Sequence, residues 1–188
     1  MGRRRQRGFS LLELLVTLFV VVLVTSLVTL NVGTGGADYE MQGTVEGLAD
    51  SANYALDEAQ FAGWDYGLLI TLENERGGSA FRLQWLERGP DRWREPLSGK
   101  DVFAEVMLPP EVELQLELDG ILQEQEIFTR FTELPTPQVV LYASGETAPG
   151  ALDFISSESG DLLWRLQWDL LGNFRPLLRG EPPAEDDL

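Results

Sequence analysis

The side chains of this chain that could do chemistry are few in kind. It has neither cysteine nor histidine, which removes disulfides, thiolate metal sites and the Ser-His and Cys-His pairs of nucleophilic catalysis. Carboxylates are abundant, 31 in all, but they are spread along the chain, and no HExxH, P-loop or GxGxxG pattern occurs. We therefore expect no enzyme, no cofactor and no metal site. One carboxylate stands apart. Glu13 sits in the opening turns of an apolar run, in RRRQRGFSLLELLV (3–16). A carboxylate at the centre of a membrane helix costs about 2.5–3.5 kcal/mol, and less near an end, unless it is paired. The chemistry open to Glu13 is thus electrostatic: an ion pair with a cation brought to it, or snorkelling to the aqueous interface.

The element that positions Glu13 is the run itself. Leu14 to Leu30 reads LLVTLFVVVLVTSLVTL, seventeen residues without a charge. Taken from Phe9 to Val32, a helix would span about 36 Å at 1.5 Å per residue, enough to cross a bilayer. Thr17, Thr25, Ser26 and Thr29 fit such a helix because hydroxyls can bond back to its carbonyls. Arginines before the run and none just after it place the N-terminus in the cytoplasm. A secretory signal peptide has a shorter core of 7–15 residues and a small-residue cleavage site, whereas NVGTGGADYE (31–40) offers no convincing A-x-A. A plain signal anchor fits the length but leaves Glu13 without a role.

Charge is unevenly distributed. The formal net charge is −17 over 188 residues, and four of the 14 basic residues (Arg3, Arg4, Arg5, Arg7) precede Gly8, where no acidic residue lies. Without residues 1–8, ten basic would face 31 acidic residues, a net −21. Such a body repels phosphate backbones, so no nucleic-acid partner is expected. Its acidic faces are solvated or dock on basic surfaces.

Beyond the apolar run, GTGG (33–36) permits a bend or local break. Tyr39 to Phe61 reads as an amphipathic helix, with Met41, Val45, Leu48, Ala52, Ala55, Leu56 and Ala59 at three- and four-residue steps and Ala62-Gly63 at its end. The period then changes to two. GLLITLE (67–73), the turn NERGG and SAFRLQWLE (79–87) predict a hairpin. Val112, Leu114, Leu116 and Leu118 alternate with polar residues up to a tight turn at Asp119-Gly120. Residues 127–131, 138–143 and 152–155 are shorter strand candidates, and Leu162, Trp164, Leu166 and Trp168 mark another before a Gly172-Asn173 turn. GEPPAEDDL (180–188) reads as a disordered acidic tail. The fold class expected is α+β: a long N-terminal helix, transmembrane in its first half, packed on antiparallel β-sheets. The domains expected are 1–8, a short leader; 9–32, the membrane or filament-core helix; 33–179, the head; and 180–188, the tail.

Gly8-Phe9-Ser10-Leu11-Leu12-Glu13-Leu14-Leu15-Val16 resembles, over nine consecutive positions, the G-F-[ST]-L-[LI]-E-[LV]-[LM]-V signal of type IV pilins and type II secretion pseudopilins. The resemblance implies that a prepilin peptidase cuts between Gly8 and Phe9 on the cytoplasmic side and N-methylates Phe9. It also implies that Glu13 pairs with the N-terminus of a neighbouring subunit during assembly. Two buried charges of opposite sign favour one register, since a mis-stagger leaves both unpaired. Head motifs are similar to those of the H-type minor pseudopilins (the GspH/FimT family), on Tyr66-Gly67-Leu68, Phe81, Trp85, Trp93, Pro96, Pro137, Ser144-Gly145-Glu146 and Pro149. The chain departs from that pattern at Pro149-Gly150-Ala151, which has no aromatic immediately after the proline.

This resemblance implies a pilin-like subunit of the pseudopilus that drives export of folded periplasmic proteins through the outer-membrane secretin. It would be a single-pass protein of the bacterial inner membrane with its head in the periplasm. Its partners would be the major and other minor pseudopilins, the prepilin peptidase and the inner-membrane secretion platform. Two rival readings are a minor type IV pilin, whose DNA-binding versions use a basic head unlike this one, and a membrane-anchored periplasmic enzyme or binding domain. The latter would need neither the Gly8-Phe9 junction nor Glu13.

Overall fold

The computed structural model describes the backbone of residues 11–75, 78–129 and 135–181, and the side chains of all these except 13, 24–40, 74 and 75. The chain divides into two compact units, 1–40 and 41–188.

Residues of the first unit form the start of α1 (Leu11–Ala62). From residue 9 to 32 the sequence holds neither glycine nor proline, so nothing interrupts the i→i−4 ladder. Residues 33–36, whose glycines permit a bend or local break, are helical and lie within α1. Glycine lowers the cost of breaking a helix without imposing a break.

In the second unit, α1 buries one stripe: Met41, Val45, Leu48, Ala49, Ala52, Ala55, Leu56 and Ala59. Every position that the three- and four-residue spacing assigns to the inner face is there. The alanines let the helix lie close to its neighbours, and Gly63 ends it in the left-handed region (φ 71°), its N–H donating to the Ala59 carbonyl at 2.9 Å.

Two antiparallel sheets complete the head. The first joins β1 (Tyr66–Glu75), β2 (Gly78–Arg88), β3 (Trp93–Arg94), β4 (Val106–Met107) and β7 (Val139–Leu141), in the order β3-β2-β1-β7 with β4 also on β2. The second has the order β10-β9-β8-β5-β6, from β5 (Val112–Leu118), β6 (Ile121–Leu122), β8 (Gly150–Ser156), β9 (Leu162–Trp168) and β10 (Arg175–Leu178). Alternation decides which side chains turn inward. Leu68, Ile70, Phe81, Leu83 and Trp85 of the first sheet share one buried cluster with Leu114, Leu116, Leu152, Phe154, Trp164, Leu166 and Trp168 of the second and with the α1 stripe.

The strand expected over 127–131 is instead a 3-10 turn, Gln125–Phe128. Phe128 is buried edge-on against Phe81, ring centroids 5.5 Å apart, and residues 130–134 lie outside the described residues. A side chain replaces the strand. The Gln138 amide accepts from Ile70 N–H at 2.8 Å and donates to the carbonyls of Ile70 (3.0 Å) and Ile127 (3.2 Å). The β1 edge and the turn are thereby satisfied without another ladder. Of the expected tail, Gly180 and Glu181 belong to the turn closing β10, with Glu181 bridged to Leu178; residues 182–188 lie outside the described residues.

Candidate functional site

The N-terminal site is a helix surface. Every described large apolar side chain from Leu11 to Leu23 is exposed, from 82 % at Leu11 to 47 % at Leu23. The described side chains from Leu11 to Leu23 thus present an apolar helix surface. The Thr17 hydroxyl donates to the Leu14 carbonyl at 2.9 Å, so this side chain adds no unmet polar group to that surface. Glu13 lies in α1 by its backbone, while its side chain, and both Gly8 and Phe9, fall outside the described residues. Among the described residues no helix is long and apolar enough to cross a membrane; side chains 24–32, the second half of the apolar run, are not among them.

The motif residues of the head are positioned by packing. Gly67 of β1 and Pro137, seventy positions apart, meet: a Cβ on Gly67 would lie 2.7 Å from Pro137 Cβ and 3.1 Å from the Val139 carbonyl oxygen. Trp93 packs with Leu69 and Leu86 in a second small cluster on the other face of the first sheet. The Pro96 segment is tied down by buried Glu87, whose carboxylate accepts from Arg94 Nε at 2.8 Å and from Leu97 N–H at 3.1 Å. Ser144-Gly145-Glu146 forms a turn that closes on the end of α1. There Gly145 (φ 89°) faces the Gln60 side chain, and Ala143 N–H donates to Asp65 Oδ1 at 2.9 Å. Where the chain lacks an aromatic after Pro149, the Trp168 ring covers Gly150, and its Nε1 donates to the Ala148 carbonyl at 2.7 Å.

Among the described residues charge in the head is arranged in small local groups, Arg82 for one bridging Glu73 and Glu105. Arg165 holds Asp153 across β8 and β9 through two bonds of 2.6 Å, and the hydrogen bonds with Asp153 raise the Arg165 pKa above its ordinary value. Lys100 reaches both Tyr54 OH and Glu58, 3.2 Å from the carboxylate. Tyr54 OH in turn donates to the Glu58 carboxylate at 2.9 Å, and this bond first, then the one from Lys100, holds the Glu58 carboxyl below its ordinary pKa. Tyr66 is pushed up to about 12, by burial first and then by the charges of Glu87 and Glu58. Among the described residues no group of three acidic side chains could hold a metal ion.

A surface that sequence reasoning missed lies on the β5–β6 hairpin. Asp119-Gly120 was legible as a turn, but not that Ile121 and Leu122 beyond it stay 66 % and 60 % exposed. The signal was an apolar pair placed directly after a tight turn, with carboxylates on both sides.

An apolar, unburied N-terminal helix and a head of one helix packed on two antiparallel sheets define the class of pilin-like proteins. The model of the prokaryotic N-terminal methylation motif matches residues 3–29. The type II secretion system protein H of Aeromonas hydrophila is 31 % identical over 98 % of this chain and 100 % of its own length. The corresponding protein of Pseudomonas aeruginosa is 28 % identical over 78 % of this chain and 81 % of its own. The crystal structure of the minor pseudopilin EpsH from the type II secretion system of Vibrio cholerae superposes with a TM-score of 0.57 at 25 % identity, covering 74 % of this chain and 94 % of that one. The chain belongs to the type II secretion system protein H family, the H-type minor pseudopilins.

Proposed function

We propose that the chain is a structural subunit of a type II secretion pseudopilus, matured by removal of residues 1–8 and methylation of Phe9. The observation carrying this reading is the coincidence of a methylation motif at residues 3–29 with similarity to a secretion protein H along almost the whole chain. Residues 9–32 form the membrane and filament-core helix, and the head from residue 33 lies in the periplasm. The exposed Leu11–Leu23 surface supports this assignment, since water is a poor environment for it. Cleavage frees an α-amino group at Phe9, four residues before Glu13. The two opposite charges then set the register between neighbouring subunits. The prepilin peptidase, the inner-membrane platform and the other pseudopilins are the partners this reading requires.

Two measurements test it. Intact mass of the membrane-extracted protein should show loss of residues 1–8 and gain of one methyl group; a retained leader in cells that contain the peptidase would falsify maturation at this junction. Glu13→Ala should leave that processing unchanged and lower co-purification with the other pseudopilins, because the carboxylate acts only after cleavage. Wild-type recovery of the partners would reduce Glu13 to a tolerated snorkelling residue.

A further inference from the structure

We propose that the β5–β6 hairpin is a docking surface for a neighbouring pseudopilus subunit whose face is apolar at its centre and basic at its rim. This rests on the reading of the chain as such a subunit. Three observations carry it. First, the hairpin is tied to the head by hydrogen bonds. Asp119 and Gly120 both sit in the left-handed region (φ 52° and 76°), the tight geometry that matches strand twist. Asp119 N–H donates to the Pro149 carbonyl at 2.8 Å, Gln123 N–H to the Leu116 carbonyl at 2.8 Å, and Gln125 Nε2 to the Leu114 carbonyl at 2.9 Å. Beneath them Leu114 and Leu116 are fully buried.

Second, β6 is the outermost strand of its sheet. Successive residues of a strand face opposite sides, so exposed Ile121 and Leu122 make both faces of this edge apolar. Edges are ordinarily protected by charge, proline or a covering element. Here the apolar pair is presented instead.

Third, the charge carried by the hairpin itself is all of one sign. Glu117, Asp119, Glu124 and Glu126 flank the pair, and no lysine or arginine occurs from 112 to 126. Among the described residues none of these four is in an ion pair; Arg82, Arg94, Lys100 and Arg165 are engaged with Glu73, Glu105, Glu87, Glu58 and Asp153. Arg165 feels the charge of Glu117, but its guanidinium is already held by Asp153. Uncompensated carboxylates around an apolar centre select a basic partner at long range, and the two side chains supply contact once it arrives. The same carboxylates would be repelled by an anionic lipid surface.

The test uses the full chain in cells that make the other pseudopilins. A photo-cross-linking residue at position 121 should give an adduct whose mass identifies a pseudopilin, while one at exposed Glu158 on the β8–β9 turn should not. Ile121→Ser with Leu122→Ser alters only exposed side chains and should lower co-purified partner about tenfold, the scale of an interface anchor. Glu124→Gln with Glu126→Gln should weaken recovery at low salt and flatten its salt dependence. Wild-type co-purification with no adduct at 121, and variants that recover the partner normally, would overturn the hairpin while leaving the subunit reading intact. An adduct with lipid would also overturn it. Failure of the unmodified chain to co-purify with any pseudopilin would overturn both.

Discussion

Gly67→Ala and Gly43→Ala add the same methyl group and should move stability in opposite directions. Gly67 is paired in β1 with Leu86 on one side and Val140 on the other. The added Cβ would meet Pro137 Cβ at 2.7 Å, with Pro137 Cγ closer still, and the Val139 carbonyl oxygen at 3.1 Å. A proline ring cannot rotate away, and β7 pairs with β1 over three residues only, so relief means displacing β7. Overpacking of this kind costs about 1–3 kcal/mol. Against it stands about 0.4–1 kcal/mol from the reduced freedom of the unfolded chain. The net is a loss of roughly 0–2.6 kcal/mol, centred on about 1.3 kcal/mol. Gly43 and Gly47 lie on the exposed face of α1 with nothing within 4 Å of a built Cβ. Alanine at either should stabilise by about 0.8–1 kcal/mol, since glycine is that much poorer in a helix interior. The assay is urea unfolding of residues 37–188, followed by tryptophan fluorescence, with midpoint and slope fitted together. If Gly67→Ala were as stable as the parent, the close approach of Pro137 would not be a real constraint, and the packing account of the Gly67/Pro137 pair would fail.

Residues 37–188 should themselves unfold in one cooperative transition with mixed helix and strand circular dichroism; a disordered fragment would mean that the head needs a partner. Raising the Tyr66 pKa from 10.0 to about 12 means that the folded state holds this proton more tightly. The stability it contributes is complete below pH 10 and lost as pH rises through 12, so Tyr66→Phe should flatten the alkaline limb of a melting-temperature profile. Asp169 has the opposite sign. Its carboxylate accepts from Asn173 Nδ2 at 2.7 Å and from two backbone N–H groups, the Asn173 side chain being the largest cause of its lowered pKa. That contribution is present above the ordinary carboxylate range and lost as pH falls through the depressed value, so Asp169→Ala should make stability less sensitive to acid. For the half-buried Asp153–Arg165 pair, a double-mutant cycle to alanine should give a coupling of about 1 kcal/mol, limited by water access; zero coupling would make it a solvated contact.

Local pattern was enough for much of this protein. Helical spacing placed the inner face of α1, alternation placed β1, β2, β5 and β9, and nine residues near the start of the chain indicated the pilin-like class, with the head motifs pointing to the H-type family. Each of these signals is carried by neighbours within a few turns or strand positions, where periodicity and burial are coupled directly. What could not be read were the encounters between distant segments. Phe128 looks like a strand residue until Gln138 occupies the backbone groups that a strand would have used. Gly67 is an ordinary glycine until Pro137 arrives across the sheet. Ile121 and Leu122 carry no assigned place until β6 proves to be an edge. In each case the outcome depends on which hydrogen-bonding group or volume has already been taken by a residue far away in sequence, and only the closed sheet decides that.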